Sequence, residues 1–124
     1  MIDFNNTAFV KMTPVNSKIF GHQVTPLLIP GEEIIASFQA LRDGVVFTNK
    51  RIIAINIQGL TGKKIDMTTL PYSKIQAFSW ETAGVMDMDS ELDLWFSGLG
   101  KVRFEFAART NITELCQMIS EKVL

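Results

Sequence analysis

From Glu33 to Ala107 the chain is cut into short alternating apolar segments by turn residues, and this punctuation is what most constrains its fold. Ile34, Ala36, Phe38 and Ala40 share one face of an extended run, and Arg42-Asp43-Gly44 reads as a tight turn. Val45 to Thr48 is a second short strand. Arg51 to Ile57 places four isoleucines around Ala54 and Asn56, a composition suited to a strand covered on both faces. Turn residues at Gln58 to Gly62 lead to Lys64–Leu70, and Pro71-Tyr72-Ser73 separates that segment from Ile75–Trp80. Glu91–Phe96 and Lys101–Ala107 complete seven strands within about 75 residues, the spacing of a sandwich or barrel.

The last two strands carry a register argument. A three-residue loop at Gly98-Leu99-Gly100 pairs Leu94 with Phe104 and Phe96 with Val102, so that both apolar sets face inward. That pairing sets Trp95 opposite Arg103 as a cation–π pair and Asp93 opposite Glu105 as a mild repulsion. The chain then ends in a helix. Asn111 is its N-cap with Glu114 three residues on, and Ile112, Leu115, Cys116, Ile119 and Val123 form the apolar stripe.

The first thirty residues are less regular. Phe4, Phe9, Val10 and Met12 fit a short helix that Pro14 would end, and residues 1–29 read as an arm packed loosely on the domain or on a neighbour. Residues 30–124 form the domain itself. A total of 124 residues, 47% of them hydrophobic and 20% charged, accommodates one such core.

Composition excludes several functions. Twelve basic against 13 acidic residues leave a net charge of −1, which disfavours nucleic acid as a partner. The start has no basic n-region, and no stretch reaches the roughly 20 apolar residues of a membrane-spanning helix, so a soluble cytoplasmic domain is expected. One cysteine, Cys116, cannot form an internal disulfide, and its place on the helix stripe makes it an inert core thiol. His22 has no nucleophile or carboxylate at a catalytic spacing.

Gly59 to Lys64 lacks the first glycine and the Ser or Thr of a phosphate-binding loop and reads as a hairpin turn. Asp87, Asp89, Glu91 and Asp93 start like a calcium loop, but Leu92 and Gly98 stand where glycine and glutamate are required. No catalytic, cofactor-binding or metal-binding residue is therefore expected. Charge is unevenly spread: six bases and two acids lie between Arg42 and Lys74, and five acids with no base between Glu81 and Asp93. The candidate interaction surface is accordingly Lys50, Arg51, Lys63 and Lys64 on one side and Asp89, Glu91, Asp93 and Trp95 on the other, meeting between copies of the domain.

The segments FTNKRII (Phe47 to Ile53), QGLTGKK (Gln58 to Lys64), LPYSKI (Leu70 to Ile75), WETAG (Trp80 to Gly84) and DMDSELDLW (Asp87 to Trp95) resemble, in this order, the bacterial pleckstrin-homology domain family. The resemblance covers about residues 28–124. It implies a mainly β fold with a C-terminal helix: a barrel or sandwich of seven antiparallel strands in two orthogonal sheets, capped by that one α-helix. It also implies no known enzymatic activity, no cofactor, a tendency to form ring-like homo-oligomers and a largely uncharacterised function.

Eukaryotic members that bind phosphoinositides use several cations around the first hairpin loop, whereas here that loop is Leu41-Arg42-Asp43-Gly44. Lipid binding is therefore not expected. The function that follows is a non-enzymatic assembly or protein-interaction module, whose partner is a second copy of itself or another protein. The alternative is a peripheral membrane module for anionic headgroups.

Overall fold

Four consecutive side chains in the strand Arg51–Gln58 (Ile52, Ile53, Ala54 and Ile55) are completely removed from solvent. Alternation sends Ile52 and Ala54 to one face and Ile53 and Ile55 to the other, so this strand needs a hydrophobic layer on both sides. The computed structural model, which describes residues 1–5, 9–84, 89–108 and 110–124, shows how the chain supplies both.

The strands are β1 (Phe9–Val15), β2 (Ile34–Ala40), β3 (Asp43–Thr48), β4 (Arg51–Gln58), β5 (Lys64–Pro71), β6 (Ile75–Glu81), β7 (Ser90–Phe96) and β8 (Gly100–Phe106). They form one eight-stranded sheet in the order β5-β4-β3-β2-β1-β8-β7-β6. The sheet curls into a half-barrel around the main core, with Phe38, Phe47, Phe104 and Phe106 in edge-to-face contact at its centre. A short helix α1 (Gly21–Val24) follows β1, and α2 (Thr113–Val123) packs beside β6 and the turn Tyr72–Lys74. Ile112, Leu115, Cys116 and Ile119 of the predicted stripe are buried. The helix starts one residue later than read: Ile112 is the N-cap, with no side-chain cap bond, and Asn111 just ahead of it accepts the Thr113 N–H on Oδ1 at 3.0 Å. No helix among the described residues is long and apolar enough to cross a membrane.

Three expectations change. First, the sheet has eight strands rather than seven, because the segment read as a helix is β1. Its beginning runs parallel to β8 (Phe9 opposite Phe104) and its end antiparallel to β2 (Pro14 opposite Phe38), so β1 joins the two halves of the sheet. The change of partner coincides with Lys11 at φ 50, where the strand breaks register.

Second, the arm is not loose. Phe20, Val24, Leu27 and Leu28 cover Val46, Ile53 and Ile55 and so provide the second layer that β4 requires. Ile2 is also buried, and its N–H donates to Thr68 Oγ1 on β5 at 3.0 Å.

Third, β7 and β8 pair two residues away from the expected register: Leu94 opposes Val102, Leu92 opposes Phe104 and the loop is Ser97-Gly98-Leu99. A slip of two keeps every apolar side chain on its face, so the hydrophobic pattern does not distinguish the two registers. Charge does: Asp93 now stands opposite Arg103 instead of Glu105. The first hairpin also turns one step earlier than read, at Leu41-Arg42, with Ala40 opposite Asp43.

A buried polar clip holds the arm to the sheet. Glu32, 8% exposed, accepts Arg51 Nε and Nη2 at 2.9 Å each, Thr48 Oγ1 at 2.6 Å and the Ile29 N–H at 3.1 Å. The same guanidinium donates to Leu27 O and to Thr69 Oγ1, and Tyr72 donates its hydroxyl to Thr48 O. Burial alone would raise the Glu32 pKa; the bonds from Arg51 and Thr48 outweigh it and hold the carboxyl at about 2, below its usual 4.5.

Two predictions follow from this packing. The ring of Phe20 lies directly against Gly44 of β3, where any Cβ would collide with it, while Gly21 faces open space. Gly44→Ala should therefore cost about 1–3 kcal/mol in thermal or denaturant unfolding by levering Phe20 off the sheet, and Gly21→Ala should be close to neutral. For Glu32 the folded pKa lies below the unfolded one, so its stabilisation is complete above pH 4.5 and disappears as the pH falls toward 2. Denaturant titrations over that window should show a loss attributable to Glu32 of at most about 3 kcal/mol, absent in Glu32→Gln, which should already be less stable at neutral pH.

Candidate interaction surface

The two halves of the half-barrel differ in what lies outside them. The outer face of β3–β5 is covered by the arm, whereas β6, β7 and β8 present an outward row to solvent. Pairing places Ala77, Trp95 and Lys101 side by side across the three strands, with Ser79, Asp93 and Arg103 in the next row and Glu81, Glu91 and Glu105 in the third. Trp95 is 49% exposed although it sits in the middle strand of the three, because the neighbours Ala77 and Ser79 are too small to cover it. Between them runs a groove of about 280 Å³ lined by Ala77, Ser79, Asp93, Trp95 and Lys101 among others. β6 forms the open edge of the sheet, and most of its side chains are exposed.

Arg103 pairs with two of the acids on this face. Arg103 Nε and Nη2 donate to the two Asp93 carboxylate oxygens at 2.8 and 3.0 Å, and Nη1 lies 3.4 Å from Glu91 Oε2. The fork geometry holds Asp93 below the usual carboxylate range, through the Arg103 hydrogen bonds first and the Arg103 charge second. In return, the same bonds raise the pKa of Arg103. The expected Trp95–Arg103 stack is replaced by Trp95 opposite Lys101, since the guanidinium is committed to Asp93.

Of the expected acidic surface, Glu91, Asp93 and Trp95 thus share one face. Asp89 lies half-buried just ahead of β7 and is engaged within the chain, and Asp87 falls outside the described residues. β7 is an inner strand between β6 and β8, so this acidic segment is not the sheet edge.

The basic set does not come together. Lys50 precedes β4, while Lys63 and Lys64 follow it beyond a turn, so they stand at opposite ends of an eight-residue strand, about 23 Å apart at the usual ~3.3 Å per residue. Arg51 is mostly covered, and its guanidinium is committed to Glu32. Cys116 is buried, and burial pushes its thiol up to about 11, well away from a nucleophile; His22 is exposed on α1. Among the described residues no three His, Cys, Asp or Glu side chains gather to hold a metal ion.

Sequence reasoning missed Ala77 and Lys101 as the neighbours of Trp95, and it missed Glu32. The first was recoverable: requiring opposite charges to face one another across β7 and β8 selects the observed register.

The fold and these strand positions agree with known proteins. The family model described as Bacterial PH domain matches residues 3–123. The uncharacterized protein YozO of Bacillus subtilis (strain 168) is 33% identical over 95 residues, 77% of this chain and 82% of that protein. YjqA of the same strain, also uncharacterized, is 47% identical over 76 residues, and the chain spans 61% of its length. Among solved structures, a DUF1696 family protein with a pleckstrin-homology domain from Shewanella loihica PV-4 superposes with a TM-score of 0.79 at 35% identity, covering 93% of this chain and 99% of that one. A pleckstrin homology domain from Shewanella amazonensis SB2B gives 0.66 at 35% identity, over 96% and 93% of the two chains. With a half-barrel of this topology closed by a C-terminal helix, and a family match over nearly its whole length, the chain belongs to the bacterial pleckstrin-homology domain family.

Proposed function

We propose that this domain is a non-enzymatic assembly module that associates with further copies of itself through the outer face of β6–β8 and the open edge of β6. The observation that carries this reading is the exposure of Trp95 over a groove floored by small side chains, next to an unpaired strand edge. An aromatic ring half in water beside a shallow apolar groove is the usual anchor of a protein contact, and an open edge offers backbone donors and acceptors to a partner strand. The other outer face is filled by the chain's own arm, so among the described residues the β6–β8 face is the one left uncovered.

Because the sheet has two different edges, β5 and β6, a contact that uses β6 against another part of the next copy is heterologous, and such contacts close into a ring when the rotation allows. Charge has a smaller part than the sequence pattern implied. Arg103 compensates one of the two charges of Glu91 and Asp93 on the same face, so the electrostatic attraction is reduced and the apolar contact of Trp95 carries the larger share.

Size-exclusion chromatography with light scattering tests this. The protein should run as an oligomer that persists at high salt, and Trp95→Glu or Ala77→Arg should shift it toward monomer with an unchanged melting temperature, since both sites lie outside the core. A wild-type protein that is monomeric at high concentration contradicts the proposal, as does an oligomer indifferent to both substitutions.

A further inference from the structure

Whatever fills the groove beside Trp95 must be apolar at its end and carry positive charge around it. The rows outside β6–β8 hold four acids (Glu81, Glu91, Asp93 and Glu105) against two bases (Lys101 and Arg103), so the face keeps a negative surplus. Its charges also have an order: Ala77, Trp95 and Lys101 form one row, and the three glutamates form the row furthest from it. Glu91 lies four residues from Trp95 along β7, about 13 Å at ~3.3 Å per residue.

One end of the same domain has that chemistry. Leu41 in the β2–β3 turn and Leu60 in the β4–β5 turn are fully exposed, and both lie beyond the last residue pairs of their hairpins, Ala40 with Asp43 and Gln58 with Lys64. Antiparallel connection puts both turns at one end of the sheet, and Arg42 Nη1 ties them together by donating to Gly59 O at 2.7 Å. Leu41 holds φ at 54, a left-handed conformation that Asn or Gly adopts with less strain, so its turn folds no better for carrying leucine. Around the leucines stand three cations, Arg42, Lys63 and Lys64, and one anion, Asp43. The next acid along, Asp66, lies 3.0 Å from the Met1 ammonium. Lys63 and Lys64 follow Leu60 by three and four residues, within the reach that separates Glu91 from Trp95. Other exposed apolar side chains, Ile19, Ile29 and Ile35, lie in the arm or within β2 rather than at a tip.

We infer that the hairpin tips of one copy seat in the Trp95 groove of the next, with Leu41 and Leu60 against Trp95 and Ala77 and the cations over the glutamate row. This rests on self-association through the Trp95 face and names the part of the neighbour that meets it. The groove, at about 280 Å³, admits a leucine side chain, and withdrawing the leucines from water supplies most of the contact energy. The surplus cations of the tips then face the surplus acids of the groove, which sets orientation more than it adds affinity. Two copies meeting groove to groove would instead set acid against acid. Tips and groove lie on different halves of the sheet, β2–β5 and β6–β8, so every copy gives one contact and receives another.

Mixing two defective variants under light scattering tests it. Leu41→Asn/Leu60→Asn keeps its groove and should fold at least as stably as the wild type, because Asn suits the left-handed position. Trp95→Glu keeps its tips. Each alone should associate at least about tenfold more weakly than the wild type and run as a monomer. Mixed in equal amounts they should form a one-to-one heterodimer and grow no further, since one intact tip pair then meets one intact groove. Lys63→Glu/Lys64→Glu should weaken wild-type association about fivefold or more at low salt and much less at high salt. An oligomer that Trp95→Glu dissolves but the leucine variant leaves intact overturns the inference while self-association through the Trp95 face stands, and gives the groove to another segment. Two monomeric variants that stay monomeric when mixed overturn it as well. A wild-type protein that is itself monomeric at high concentration overturns self-association and this inference together.

Discussion

Arg51 is the residue on which the rest of the structure depends. Its guanidinium reaches Glu32, the carbonyl of Leu27 and the hydroxyl of Thr69, and so ties the incoming arm to the middle of the sheet. Without that tie Ile53 and Ile55 on β4 would lose the layer formed by Phe20, Val24, Leu27 and Leu28 and face water. A charge pair this far from solvent is not by itself a large source of stability, because desolvation offsets much of the attraction. Its consequence is specificity of placement: once Glu32 is buried, only the arrangement that brings Arg51 and Thr48 to it satisfies the carboxylate.

This placement makes the domain two-sided. The chain covers one outer sheet face with its own N-terminal residues and leaves the other open. β1 contributes to the same asymmetry by filling the gap between β2 and β8, so the remaining edges are β5 and β6, which are joined through the turn Tyr72–Lys74. Among the described residues, the places left exposed to a partner include the Trp95 face, the β6 edge and the hairpin tips that carry Leu41 and Leu60. The Trp95 face carries acids partly compensated by Arg103, whereas the hairpin tips carry Arg42, Asp43, Lys63 and Lys64, so the two surfaces differ in chemistry.

The sequence showed strands β2 to β8 and helix α2 through plain alternation and a helical stripe, although the helix is capped at Ile112 rather than Asn111. β1 was hidden because it is short, contains Pro14, changes partner at Lys11 and pairs in parallel with a strand some ninety residues away, none of which leaves a local periodic trace. Parity alone identified Trp95 as outward-facing. The register beside it needed the charge pattern of Asp93 and Arg103 as well as the apolar one. Lys50, Arg51, Lys63 and Lys64 looked like a patch because they are close in the chain; an extended strand carries such neighbours to opposite ends, and the bond to Glu32 engages Arg51. Leucines in turns gave no signal at all, since their exposure depends on how far the hairpins project.

Native-state hydrogen exchange followed residue by residue tests the central claim most directly, that the arm is an integral layer of the domain held by the Glu32–Arg51 clip. The Val24 amide bonds to Phe20 O and the Glu32 amide to Ile29 O, both within the arm. If the clip makes the arm part of the cooperative unit, these amides exchange only through global unfolding, with the same free energy as the amides of β4. Exchange of Val24 and Glu32 many-fold faster than β4, under conditions where the sheet stays protected, would show that the arm opens on its own and would contradict the account.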